Sequence, residues 1–141
     1  MARGDRVKGF DNFSTGKREN LAGVSDRIEL HEGDLLDLNA LHQACRGVDY
    51  VLHEAAIPSV PSSVRDPLEN NRANVDGTLN LLVAARDAKV RRVIYAAPSA
   101  VYGDTPTLPK REDMRPTPIS PYATAKLAGE YYMTTFYRPR L

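Results

Sequence analysis

Apolar and polar positions fall into alternating blocks along the chain: short apolar runs are followed by stretches with helical spacing. RVKGF (6–10) reads as a short strand that ends in DNFSTGKREN, a segment rich in turn residues. RIELHEGD (27–34) reads as a second strand. DLNALHQACRG (37–47) predicts a short helix, with Asp37 as N-cap, an apolar stripe of Leu38, Leu41 and Ala44, and Gly47 as the stop. DYVLHEAA (49–56) is a third strand, and IPSVPSSVRDP (57–67) is a proline-broken loop. The segment 68–90 predicts one long helix with Val75, Leu79, Leu82 and Ala85 at core spacing. RRVIYAAPSAVYG (91–103) contains a fourth strand. A polar loop with prolines then leads to a last helix, from about residues 118–120 to about residue 137.

Strand–helix alternation with apolar strands predicts a parallel sheet covered on both faces, a doubly wound α/β domain over residues 1–141. In such sheets ligands bind beyond the C-terminal strand ends. That rule gathers Asp11 and Asn12, Gly33 and Asp34, Ala55 and Ala56, and the run PSAVYG along one rim.

Composition narrows the function classes. A formal net charge of +1 with 26% charged residues gives no basic field for nucleic acid. The apolar runs are only a few residues long, so no membrane span is expected. The N-terminus passes straight from charge into a strand pattern, and no secretory signal is visible. Cys45 is the single cysteine, which excludes a disulfide framework and a thiolate metal site within one chain and points to the cytoplasm.

Asp11 follows a strand, where a carboxylate either forms a turn or receives the two hydroxyls of an adenosine ribose. Lys17 and Arg18 nearby keep a 2′-phosphate in play. Asp34 either caps the following turn or accepts from an adenine amino group. Ala55 and Ala56 either pack or let a flat ring or pyrophosphate approach the backbone. Asn74 and Gly77 are poor residues for a helix interior, which suggests a packing or ligand reason. His31, His42 and His53 have no ligand-like spacing and read as structural, with no metal site. Tyr122 and Lys126 lie four apart on the last helix. With seven tyrosines in the chain the spacing alone is weak, but an ammonium about 4 Å from a phenolate gains roughly 4 kcal/mol at an effective dielectric near 20. That gain equals about 3 pKa units, enough to make the tyrosine an acid/base near neutrality.

Taken in order, GFDNFSTGKREN, GDLLD, HEAA, NVDGTLNLL, VIYAAPSAVYGD and SPYATAKLAGE resemble the extended short-chain dehydrogenase/reductase family, in its nucleotide-sugar epimerase/dehydratase branch. The resemblance covers about residues 4 to 137 and implies a Rossmann-like domain that holds NAD. It places Asp11, Asn12, Ser14 and Thr15 on the adenosine ribose side, and Asp34 and Leu35 near adenine. Ala55 and Ala56 would line the pyrophosphate or nicotinamide, with Asn74 buttressing from the long helix. Tyr122 is then the expected acid/base, Lys126 the ribose-binding lysine and Ser99 the hydroxyl beside them. The partner implied is a nucleotide sugar, a UDP-hexose, and a homodimer is allowed.

Some features depart from that pattern. None of the nine glycines forms the family's G-x-x-G-x-x-G turn, and the chain begins near the family's second strand. In the order 3-2-1-4-5 the missing strand is central. The strands at 6–10 and 49–56 must then pair directly, leave a gap or borrow a strand. The smaller C-terminal substrate domain is also expected to be missing. Pro98 stands where the family has Ser or Thr, with Ser99 adjacent. Ser99 and Ala100 replace the acidic residues of the dehydratase and decarboxylase branches. The expectation is therefore an incomplete UDP-hexose C4 epimerase working through a 4-keto intermediate. The alternatives are a non-catalytic remnant of the same fold and an NADP-dependent reductase using Lys17 or Arg18.

Overall fold

The computed structural model describes residues 4–137. Its strands are β1 (Lys8–Asp11), β2 (Glu29–Glu32), β3 (Tyr50–His53) and β4 (Arg92–Tyr95). Its helices are α1 (Leu38–Cys45), α2 (Val60–Arg65), α3 (Pro67–Asn71), α4 (Gly77–Asp87) and α5 (Pro121–Tyr137). The strands are shorter than the apolar runs that predicted them. The helix expected over 68–90 is divided, because a π-helical turn at Arg72–Asp76 separates α3 from α4.

The segment 57–67 holds α2 instead of a loop. Pro61 and Pro67 do not break helices, because they sit in first turns where no N–H donor is needed. Ser59 caps α2 by accepting from Ser62 N at 3.2 Å, with Pro61 in the first turn. Asp66 caps α3 by accepting from Glu69 N at 3.0 Å, with Pro67 opening the helix. Asp37 caps α1 as expected, accepting from Ala40 N at 3.0 Å.

The strands pair in parallel, Lys8 with Glu29 through Asp11 with Glu32, and Tyr50 with Arg92 through His53 with Tyr95. Among the described residues no ladder joins β1 to β3, so the chain holds two two-stranded sheets. Of the outcomes open to these strands, the fold takes the gap.

One helical layer spans that gap. Leu41 and Cys45 of α1 and Leu81 and Ala84 of α4 form a buried cluster, against which Phe10 of β1 and Val51 of β3 both pack. Cys45 takes the core position that the sequence pattern gave to Ala44. Gly77 lets α4 come close, since a Cβ there would lie 2.8 Å from Leu35 Cβ. The parallel strands and their helices give the expected α/β class; on the face of β3 and β4 away from this layer, Tyr50 (60% exposed), Leu52 (67%) and Ile94 (49%) lie open.

Leu41 is 1% exposed at the centre of the layer. Leu41→Ala should destabilise the chain by about 2–5 kcal/mol, read as a lower urea midpoint.

Candidate functional site

The C-terminal ends of all four strands carry the candidate residues. At the first pair of ends, Asp11 Oδ1 accepts from Phe13 N at 2.7 Å. Asn12 accepts from Ser14 N at 3.0 Å and donates from Nδ2 to Asp34 Oδ2 at 2.8 Å. Asp34 Oδ1 accepts from Leu36 N at 2.8 Å. Both aspartates are thus turn formers, and both remain exposed on adjacent strand ends. Ser14 and Thr15 lie exposed in the following turn, with Lys17 just beyond. Arg18 is ion-paired with Glu32, and its guanidinium lies 4.2 Å above the Phe13 ring. Leu35 is half-buried against the core, and its carbonyl accepts from Asn80 Nδ2 at 3.0 Å.

At the other pair of ends, Ala55 is exposed and Ala56 half-buried. Asn74, 1% exposed in the π-helical turn, clamps the backbone that follows them. Its Oδ1 accepts from Ile57 N at 2.9 Å and its Nδ2 donates to Ile57 O at 3.2 Å. This is the packing reason for an asparagine inside a helix. Thr78 donates to Asn74 O at 2.7 Å, which commits its proton, so at 2.9 Å it accepts from His53 Nε2–H. His53 is 3% exposed, and burial first, then the Lys126 charge, lowers its pKa to about 4. The structural reading of the histidines holds for His53. The other two pair at the surface, His31 with Glu29 and His42 with Asp87.

Ser120 caps α5, accepting from Ala123 N at 3.1 Å, and Pro121 opens it. Tyr122 is half-buried and Lys126 is 3% exposed, one turn apart. The Lys126 ammonium rests 4.0 Å from the centroid of the Tyr95 ring. Burial lowers its pKa to about 8, opposed by Glu54 at the end of β3 and by Glu130. The expected depression of Tyr122 does not occur in this state. Burial pushes its phenol up, and the ammonium sits on another ring. The Ser99–Tyr102 turn packs on α5, with Ser99 exposed and Pro98 extended ahead of it.

The structure therefore gathers Asp11, Asn12, Ser14 and Asp34 at one end of the rim and Tyr122 and Lys126 at the other. Asn74 is buried as a backbone clamp and Leu35 as core. Sequence reasoning missed Tyr95 and Glu54. The available signal was Gly129, seven residues after Tyr122, which makes room for Tyr95 on the helix face: a Cβ there would stand 2.3 Å from Tyr95 Oη.

Comparison with known proteins decides the family. The model of the NAD dependent epimerase/dehydratase family matches residues 1–138. The chain belongs to this family. A UDP-glucose 4-epimerase of Mycolicibacterium smegmatis is 39% identical over 140 residues, covering 96% of this chain and 45% of that protein. One of Streptomyces lividans is 37% identical over 134 residues, covering 93% and 40%. Among solved structures, the UDP-glucose 4-epimerase of Thermus thermophilus in complex with NAD has a TM-score of 0.87 at 38% identity, covering 96% of this chain and 44% of that one. The UDP-N-acetylglucosamine 4-epimerase of Methanobrevibacter ruminantium, in complex with UDP-N-acetylmuramic acid, has a TM-score of 0.88 at 38% identity, with coverage of 94% and 43%. The chain thus spans less than half the length of these relatives.

The buried histidine gives a pH signature. Its folded pKa lies below the ordinary 6.5, so the unfolded chain binds more protons between pH 6.5 and about 4, and stability falls as pH drops through that window. The loss should reach about 2–3 kcal/mol. His53→Gln keeps a donor for Thr78 without a titrating ring, and should flatten the curve in urea titrations from pH 7 to 4. An equally steep curve would assign the loss to other groups.

Proposed function

We propose that this chain carries the adenosine side of an NAD site and the Tyr–Lys pair of a UDP-hexose 4-epimerase. The observation that carries the reading is the near-complete burial of Lys126 one turn from Tyr122, at the end of the rim that also holds Glu54. Burying an ammonium is costly without a reason, and a lysine titrating near 8 is still charged at neutral pH, so it can donate to ribose hydroxyls.

The residues present fit the cofactor. The exposed Asp11 carboxylate suits a ribose diol, and Asp34 stands beside it through Asn12. The small Ala55 leaves the backbone open to a close approach. Arg18 is engaged by Glu32 and Phe13, which favours NAD over a 2′-phosphorylated cofactor. Held by Asp11, Asp34 and Lys126, NAD would supply reversible hydride transfer at C4 of the sugar. Tyr122 would take the hydroxyl proton and give it back, and Ser99 would steady the same oxygen. Asn74 acts from behind by fixing the backbone at Ile57. The finer assignments follow from the same reading. The buried lone Cys45 suits a reducing cytoplasm, and the exposed Leu68, Ile119 and Tyr131 beside α3 and α5 suit a homodimer face.

Two measurements test this. The chain should bind NAD weakly by calorimetry, and Asp11→Ala should weaken binding by about ten- to a hundredfold, the worth of hydrogen bonds to a charged group. Equal affinity of the variant would remove Asp11 from the site. Next, residues 4–137 can replace the matching part of the Mycolicibacterium smegmatis epimerase. That chimera should convert UDP-galactose to UDP-glucose. Tyr122→Phe should cut the rate by 10²–10⁴, as loss of a general acid/base does. Pro98→Ser should raise it, by up to about 10²–10³ if a positioned hydroxyl is restored. A folded, NAD-binding chimera indifferent to Tyr122 would sink the proposal, and one indifferent to Pro98→Ser would show that Ser99 already serves.

A further inference from the structure

Lys126 is buried, yet its ammonium does not rest on a carboxylate. It lies over the face of Tyr95, 4.0 Å from the ring centroid. That distance is well inside the range of a cation–π contact, which is strongest where water is excluded. The ring is itself fixed. Tyr95 ends β4, its hydroxyl donates to Lys126 O on α5 at 3.3 Å, and the missing Cβ of Gly129 gives it room. It also meets the His53 ring, with centroids 5.4 Å apart and planes tilted by 40°. Tyr95 is not a rival acid: burial foremost raises its pKa to about 12, so it stays a neutral phenol.

We propose that Tyr95 is a positioning residue whose ring face is the bed that holds the Lys126 ammonium in place within the buried site. This rests on the reading of Lys126 as the lysine that holds the cofactor's ribose, and adds the group that sets where its charge lies. The charged and titratable groups around the ammonium are Glu54 after β3, Glu130 and Tyr122 on α5, His53 on β3 and Tyr95 on β4. The two carboxylates act at a distance through Coulomb attraction. The ring is the group in direct contact.

A ring quadrupole can be weakened without changing the ring's shape, which separates this role from packing. Residue 95 is replaced by phenylalanine and then by phenylalanine with increasing ring fluorination. The Lys126 ε-CH₂ resonance of the full chain, assigned by its loss in Lys126→Arg, is titrated in the absence of NAD and sugar. Tyr95→Phe should leave the midpoint near the wild-type value. Fluorination should lower it stepwise, by about one unit across the series, because the charged form loses its partner while burial is unchanged. A midpoint independent of fluorination, or one that rises, would overturn the proposal and leave the ring as a mere cover. The titration involves no catalysis, so its failure leaves the epimerase reading intact, and an inactive chimera leaves this result intact.

Discussion

Two parallel strand pairs that share no ladder keep a common rim because a single apolar layer grips both. Phe10 of β1 and Val51 of β3 press on the same cluster of Leu41, Cys45, Leu81 and Ala84. Directional hydrogen bonds do not set the spacing between the pairs; non-directional burial against α1 and α4 does. Everything on the rim inherits its position from this contact. Asp11 and Asp34 rise from one pair, and Glu54, Ala55 and the Tyr95 ring from the other.

That arrangement is lopsided. One face of β3 and β4 is covered, and the other presents Tyr50, Leu52 and Ile94. Parallel strands are ordinarily buried on both faces, so these strands read as core in sequence and are half surface in the fold. The same alternation puts His53 and Val51 inward, where His53 joins Thr78 and Asn74 in a chain that ends on the backbone of Ile57.

The second controlling effect is desolvation. Burial lowers His53 and Lys126 and raises Tyr95 and Tyr122, all toward the uncharged form. Only Lys126 keeps a positive charge at neutral pH, and it does so with an aromatic face in contact and two carboxylates at a distance. The Lys126 ammonium is thus held against a neutral ring, with the Glu54 and Glu130 carboxylates favouring its charged form from a distance.

Much of this was legible in the chain. Alternating apolar blocks gave the order of the four strands, of α1 and of α5, and their parallel class, because period and block length follow from strand and helix geometry; α2 and the division of α3 from α4 were not in that pattern. Asp37 and Ser120 mark helix starts because their side chains must satisfy free N–H groups, a purely local demand. Tyr122 and Lys126 share a face because four residues make about one helical turn. Other features were settled only by tertiary contact. Asn74 became a clamp because Ile57 came within reach. The gap between β1 and β3 depends on which strands meet. The Lys126 ammonium lies on Tyr95, 31 residues away, because packing across α5 and β4 brought the ring against it. Local spacing carries no information about such a distant neighbour, and the pKa of a buried group depends on all of its neighbours at once.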